Sequence, residues 1–447
     1  MEPPYTTAPQ TFLDQRYTSK LAHHIEGLIS TLRLLTSTTK KPEISIHIDN
    51  HYAAKTYTSE DLIRGEVTLQ PKRDLTFHEL QITLFGVATV DRDDIDMSLV
   101  TTHLFLSVVF PLAEGTLPSN GVLVKGETYE IPFDFRLPCG LTSGACSHSV
   151  QSPTVTQLHQ CLPPSMGTWE GDQTTPRGVR VKYGIKASAI APADEPASRE
   201  ILANVIHHFN FKPRHSACFQ PTLPRETLQK VTFPRNNMSF RAKGRIIATV
   251  TEPEAAVLDI SERNGTMSMI PIQLTLEAQN QPSALPSVIV SAKLEAKTWS
   301  CSRPRTALPN SKAPQDAFCS RMVLIKPCIV PVAWSSDYDE DSEHEPRTLA
   351  STETYHAALQ IPFQVPPTQR DLIPTFHTCL ISRTYHIKLK LKIMGLKLKM
   401  NIPLKILCGN VSDPSPSLHF DIGDSLQRNE LDRLQSSDSQ ILPDYSD

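Results

Sequence analysis

The sequence is poor in glycine, 17 residues in 447, and none of it forms a Gly-rich loop of the kind that cradles phosphate. Gly-x-Ser-x-Gly and His-Glu-x-x-His are both absent, which removes two common signatures of hydrolytic chemistry. No two cysteines form Cys-x-x-Cys. Cys139, Cys146, Cys161, Cys218, Cys301, Cys319, Cys328, Cys379 and Cys408 are odd in number and scattered. That pattern reads as reduced thiols in a cytosolic chain, neither a disulfide framework nor a zinc site. Charge of one sign is also missing: the formal net charge is -3, so no global field draws the chain to nucleic acid. The best apolar run, "LVTTHLFLSVVF", is too short to span a bilayer and contains Thr and His. "MEPPYTTAPQTFLDQ" offers acid, proline and polar residues where a signal peptide needs a basic and then an apolar run. These absences predict a cytosolic, non-catalytic chain without cofactor, metal or nucleic-acid partner.

Proline is abundant, at 37 residues; it breaks helices and collects at strand ends and in loops. One helix is nevertheless predicted over residues 11–35. There Leu13, Tyr17, Leu21, Ile25, Leu28, Leu32 and Leu35 recur at three- and four-residue steps behind a Thr11 cap. Its polar face carries few cations, so packing on the body, or a frayed extension, is expected over a membrane-surface role. Residues 1–42 are read as an N-terminal extension.

From residue 43 the period is two. "EISIHID" places Ile44, Ile46 and Ile48 on one face, and "ELQITLFG" does so with Leu80, Ile82 and Leu84. "YEIPFDFRL" alternates Tyr129, Ile131, Phe133, Phe135 and Leu137 with Glu130, Pro132, Asp134 and Arg136. Val179, Val181, Tyr183 and Ile185 continue the series, then Ile201, Ala203, Val205, His207 and Phe209. Such strands bury one face and wet the other, as in a sandwich of antiparallel sheets. "PRHSACFQPTLPRETLQK" (213–230) is proline-punctuated and reads as a hinge. A second set follows in "IPIQLTLEAQ", "SVIVSAKLEAKTW" and "TYHAALQIPFQV". The acidic run 335–347 lacks the spacing and turn glycine of a calcium loop. His23-His24 and His207-His208 point adjacent rings apart, so neither pair alone grips a metal.

"YHIKLKLKIMGLKLKMNIPLKIL" is the sharpest local pattern. Ile387, Leu389, Leu391 and Ile393 alternate with Lys388, Lys390 and Lys392. After Met394-Gly395 the phase flips, with Leu396, Leu398, Met400 and Ile402 against Lys397 and Lys399. That flip predicts a tight hairpin with leucines inward and lysines outward. The five lysines read either as an anionic-ligand face or as charge that keeps a sheet soluble and unpaired.

Several segments, in order, resemble the arrestin family. "DLIRGEVTLQPKRDLTFHELQITLFGVATV" and "KGETYEIPFDFRLP" are similar to early strands of the arrestin N-terminal domain. "GACSHSVQSPTVTQLHQCLPPSMGTW" with "VRVKYGIKASAI" resembles the form found in filamentous-fungal arrestin-like proteins of the α class. "LIPTFHTCLISRTYHIKLKLKI…IPLKIL" resembles the closing strands of their C-terminal domain. The resemblance spans roughly residues 43–408. It implies an all-β chain of two immunoglobulin-like, arrestin-type sandwiches, an N-terminal one over 43–212 and a C-terminal one over 231–408. These are joined by the hinge and followed by a disordered polar tail over 409–447.

In such relatives, Pro-Pro-x-Tyr motifs recruit HECT-type ubiquitin ligases by laying an extended segment into an aromatic WW-domain groove. The matching element here is Leu442-Pro443-Asp444-Tyr445, with Leu442 in place of the first proline; "EPPYTT" near residue 2 fails the motif at Thr6. The resemblance therefore implies an adaptor for plasma-membrane transporter or receptor cargo. It would be cytoplasmic and recruited to the cytosolic face of the plasma membrane or endosomes, with weak anionic-lipid contact. Lys388, Lys390, Lys392, Lys397 and Lys399 are then ubiquitin acceptors to consider. Ser436, Ser437 and Ser439 are positions where phosphate would alter docking. The alternative is a ligase-independent trafficking scaffold of arrestin or retromer-subunit type. No residue matches the buried phosphate sensor of visual-type arrestins.

Overall fold

The structure is a computed structural model. It describes residues 43–94, 97–113, 115–167, 174–192, 201–214, 227–232, 244–259, 267–278, 285–309, 317–336, 353–365 and 372–409. The helix expected over 11–35 and residues 410–447 of the expected tail lie outside these.

The strands, numbered β1–β22 in chain order among the described residues, build two sandwiches. In the first, β1 (Glu43–Ile48), β3 (Leu62–Gln70) and β8 (Tyr129–Arg136) form one sheet. It faces a second sheet of β2 (Thr56–Thr58), β10 (Ile201–Lys212), β9 (Val179–Ile190), β5 (Glu79–Asp94) and β6 (Met97–Val109), in that order. A small ribbon of β4 (Leu75–Thr76) and β7 (Val122–Leu123) closes one end. In the second, β11 (Thr227–Thr232), β12 (Gly244–Thr251), β14 (Met267–Ala278), β18 (Glu353–Gln364) and β17 (Ser335–Ser336) form one sheet. The facing sheet runs β16 (Ala317–Val330), β15 (Val288–Ser300), β20 (Ile381–Ile393) and β19 (Phe376–His377), with β21 (Leu396–Leu404) also paired to β20. Pairing is antiparallel except for β2 on β10 and for β13 (Ala256–Asp259) on β22 (Ile406–Gly409).

The period-two pattern explains the burial. On β8, Ile131, Phe133 and Phe135 are buried while Glu130, Pro132, Asp134 and Arg136 are exposed. Each such apolar side chain contributes roughly 1.5–3 kcal/mol on leaving water. Strand prolines sit where a ladder partner is missing, since proline donates no amide hydrogen bond. Pro132 lies on edge strand β8, and Pro403 on β21 at the end of its sheet. Pro271 on β14 lies one residue beyond the last position paired with β12.

The structure departs from the sequence reading at three places. Thr227–Lys230 belong to β11, not to a linker, because they pair with Ala248–Thr251 of β12. Ile201 is 46 % exposed because the register of β10 slips between Ile201 and Ala203, shifting its phase. Glu295 and Lys297 of β15 stand on the phase expected to be wet, yet both are buried.

The described residues form one compact body. Ile373, Phe376, Leu380 and Ile381, which surround and begin strands of the second sandwich, pack into the core of the first. Arg383 of β20 is fully buried. Its Nη1 donates to Thr174 Oγ1 at 2.8 Å, and its Nη2 to the Thr174 carbonyl at 3.1 Å and to Thr175 Oγ1 at 3.0 Å. The Thr298 hydroxyl donates to the same Thr174 carbonyl at 3.0 Å. Both halves are therefore tied by shared apolar core and by buried polar contacts.

Candidate functional site

Beyond β8, residues 139–161 leave the sheet and return on themselves. The Leu141 amide donates to the Gln160 carbonyl at 2.8 Å, and Gly140 bridges Cys161. The segment contains a 3-10 turn (Ser143–Ala145) and a short helix, α1 (Pro153–His159). Pro153 at the first helical position suits the helix start, where an amide would be unsatisfied in any case. His159, in the last turn, faces inward and is buried. The Gln151 amide donates to the Thr306 carbonyl at 2.8 Å, anchoring the segment to the loop after β15.

Opposite it stands the turn between β19 and β20. Thr378 closes this turn: its amide and hydroxyl both donate to the Ile381 carbonyl at 2.8 Å, and the hydroxyl accepts from the Ile381 amide at 3.0 Å. Cys379 sits at the tip, buried, with Leu380 and Ile381 beside it in the core of the first sandwich.

The turn and the loop bring Cys146, His148, His159 and Cys379 together, with one ligand atom from each inside a 4.8 Å span. Cys146 Sγ lies 3.4 Å from His148 Nε2 and 3.5 Å from His159 Nδ1. His148 Nδ1 lies 3.1 Å from the Ser149 carbonyl. A carbonyl only accepts, so Nδ1 donates to it and the ring turns Nε2 toward Cys146. Burial pushes the Cys146 thiol up; burial, and then Cys146, push Cys379 up much further. Burial first, and then the neighbouring His148, His377, His103 and Arg305, hold His159 down to about 4. A thiol–imidazole pair is also the layout of a cysteine nucleophile. Here, however, burial keeps the thiol protonated, the reverse of an activated thiolate.

The lysine hairpin stands as the sequence predicts. Met394 (φ 50) and Gly395 (φ 79) both take positive φ, the requirement of a two-residue type I′ turn. Ile393 pairs with Leu396. Lys390, Lys392, Lys397 and Lys399 are exposed, and Lys388 is half-buried. Lys390 lies directly opposite Lys399, and Lys392 opposite Lys397, so like charges oppose each other across the ladder. Exposed Lys293 extends the face onto β15 opposite Lys388. At its inner end Glu295, 1 % exposed, gathers cations: Arg321 Nε at 2.7 Å, Lys388 Nζ at 2.9 Å and Lys297 Nζ at 3.7 Å. Its burial favours the neutral acid, but Lys388, Arg321 and Lys297 outweigh that and leave its carboxyl below the usual range.

Leu442, Pro443 and Tyr445, with Ser436, Ser437 and Ser439, lie outside the described residues. Sequence reasoning found the lysines but missed Cys146, His148, His159 and Cys379 as a group. Its one local signal was the Cys-x-His spacing at 146–148. Cys379 lies over two hundred residues away, and only the docking of the two sandwiches supplies it. Arg383 was missed for the same reason, and Glu295 and Lys297 because Arg321 and Lys388, which pair with Glu295, lie on the neighbouring strands β16 and β20. Compared with known proteins, the chain matches no family model and no curated protein.

Proposed function

We propose that the chain is a non-catalytic adaptor of arrestin type that couples membrane-protein cargo to a HECT-type ubiquitin ligase and so to endocytic sorting. The observation that carries this reading is a body of two tandem antiparallel β-sandwiches in a sequence that also holds Leu442-Pro443-Asp444-Tyr445. The arrestin resemblance of residues 43–408 supports the same reading. The body supplies wide, rigid sheet faces for cargo, and the motif supplies a proline-restricted segment whose Tyr445 fills a pocket on a WW domain. Leu442 lacks the ring that would stiffen the segment, so its binding is weaker than that of a Pro-Pro-x-Tyr peptide.

The lysine face has a part in this scheme. Its opposed like charges are relieved by an anion, which favours contact with an acidic leaflet on the cytosolic side of the plasma membrane or endosomes. Lys390, Lys392, Lys397 and Lys399 are exposed and open to ubiquitin transfer.

The test is a titration of ligase WW domains against the full chain and against a peptide covering residues 430–447, each beside its Tyr445→Ala form. Micromolar binding lost on substitution is expected. Binding that survives Tyr445→Ala removes the motif's role. Absence of binding to either form favours a scaffold that sorts cargo without a ligase.

A further inference from the structure

We propose that Cys146, His148, His159 and Cys379 bind one Zn2+ ion in a tetrahedral Cys2His2 site that clamps the two sandwiches together. The proposal does not depend on the adaptor reading, since it concerns only the folded body.

The donor set has the composition of a closed structural zinc site, two thiolates and two imidazoles. Zn–S bonds of about 2.3 Å and Zn–N bonds of about 2.0–2.1 Å give a tetrahedron whose S–N edge is about 3.5 Å. The two S–N separations at Cys146 are 3.4 and 3.5 Å. All four donor atoms lie within 4.8 Å of one another, so shifts of under an ångström close the polyhedron. Second-sphere geometry agrees: metal-bound histidines usually donate the other ring N–H to a carbonyl or carboxylate. His148 does this through Nδ1 to Ser149, leaving Nε2 aimed at Cys146. Cys146, His159 and Cys379 are buried and His148 is partly so, which shields the ion while leaving one ligand at the surface as a way in. Two thiolates cancel the charge of the ion, so the site adds no net charge to the buried interface. Thiolate and imidazole together select zinc over calcium or magnesium, which take oxygen.

The position of the site says what it does. Three ligands come from the loop after β8 of the first sandwich, and the fourth from the β19–β20 turn of the second. That turn already carries Leu380 and Ile381 into the first core. On binding, each thiol loses its proton to solvent and each sulfur gives a lone pair to zinc; no redox partner is needed. The ion thus closes a link between chain segments more than two hundred residues apart, as a disulfide would, but without oxidation of the thiols.

The full-length chain, purified with reductant and without chelator, is analysed for metals by mass spectrometry. About one zinc per chain is expected. Cys379→Ser and His159→Gln are expected to lower it at least about tenfold, and Cys319→Ser on β16 to leave it unchanged, since each structural ligand is needed for the closed site. In case a variant fails to fold, metal-stripped wild-type chain is titrated with Co2+. A 1:1 end point with the visible bands of tetrahedral cobalt and a sulfur charge-transfer band supports the site. Stripping is also expected to lower Tm by several degrees, with recovery on adding Zn2+. Stoichiometric copper or iron in place of zinc, no saturable cobalt binding, or a Cys146–Cys379 disulfide in the fresh chain overturns the proposal. Tm unmoved by stripping overturns the clamp.

Discussion

His386 on β20 is a histidine that burial first, and then Lys297 and Lys388, hold down to about 4, with Glu295 pulling weakly the other way. In the unfolded chain the same imidazole takes up its proton near pH 6.5. Between these values the unfolded state binds more protons, so His386 costs stability as pH falls from about 6.5 to about 4 and is neutral in its effect above that window. Substituting His386→Asn is expected to flatten the fall of unfolding free energy across this window, by at most about 3 kcal/mol. Urea unfolding at pH 7, 5.5 and 4.5 measures it; parallel slopes for the two proteins contradict it. Glu295 works in the opposite sense of charge. Its carboxylate balances Arg321, Lys388 and Lys297 at the edge of the core. Glu295→Gln leaves those cations facing one another, and a loss of about 3 kcal/mol at pH 7 is expected. The double substitution Glu295→Gln with Lys388→Met is expected to recover part of that loss, which a double-mutant cycle reads directly.

At the scale of the element, the β20–β21 hairpin rests on the turn at Met394-Gly395. Gly395 has φ of 79° and open space around its missing Cβ, so any cost of Gly395→Ala is conformational and not steric crowding. A loss of about 1 kcal/mol is expected, read as a lower Tm with unchanged oligomeric state. Met394→Gly separates two effects: it relieves positive φ but removes a side chain packed on the second core. The hairpin also shows why so much was legible in advance. Ile393 and Leu396 face each other, and every lysine named from the alternation lies on one face, because a strand's side-chain period is fixed by its backbone. Reading failed where an element's surroundings override that period. Glu295 is buried because Arg321 reaches it from β16 and Lys388 from β20, with Lys297 beside it on its own strand, which no local pattern on β15 encodes. Ile201 is exposed because one irregularity in the β9–β10 register reverses its face.

For the whole molecule, the decisive feature is that the two sandwiches are not independent. The first core is completed by Ile373, Phe376, Leu380 and Ile381, and the buried guanidinium of Arg383 donates through Nη1 and Nη2 to Thr174 and Thr175 across the boundary. Residues 43–214 expressed alone therefore expose apolar surface where these side chains belong. The fragment is expected to bind a hydrophobic dye strongly or to aggregate, whereas co-expression with residues 227–409 is expected to recover a soluble complex. A fragment that unfolds cooperatively by itself, without dye binding, runs against this. Among the described residues no helix is long and apolar enough to cross a membrane.

The sequence by itself determined the all-β class, many of the strands, the lysine hairpin and the division into two sets of strands. Each of these is written in local alternation, in turn residues and in the placement of proline, all of which act over a few neighbours. Tertiary structure alone decided which residues meet across the molecule: Cys379 with Cys146, His148 and His159, Arg383 with Thr174, and Ile381 with the first core. Those encounters depend on how two sheets dock over separations of more than two hundred residues, and side-chain periodicity carries no information about distance of that kind.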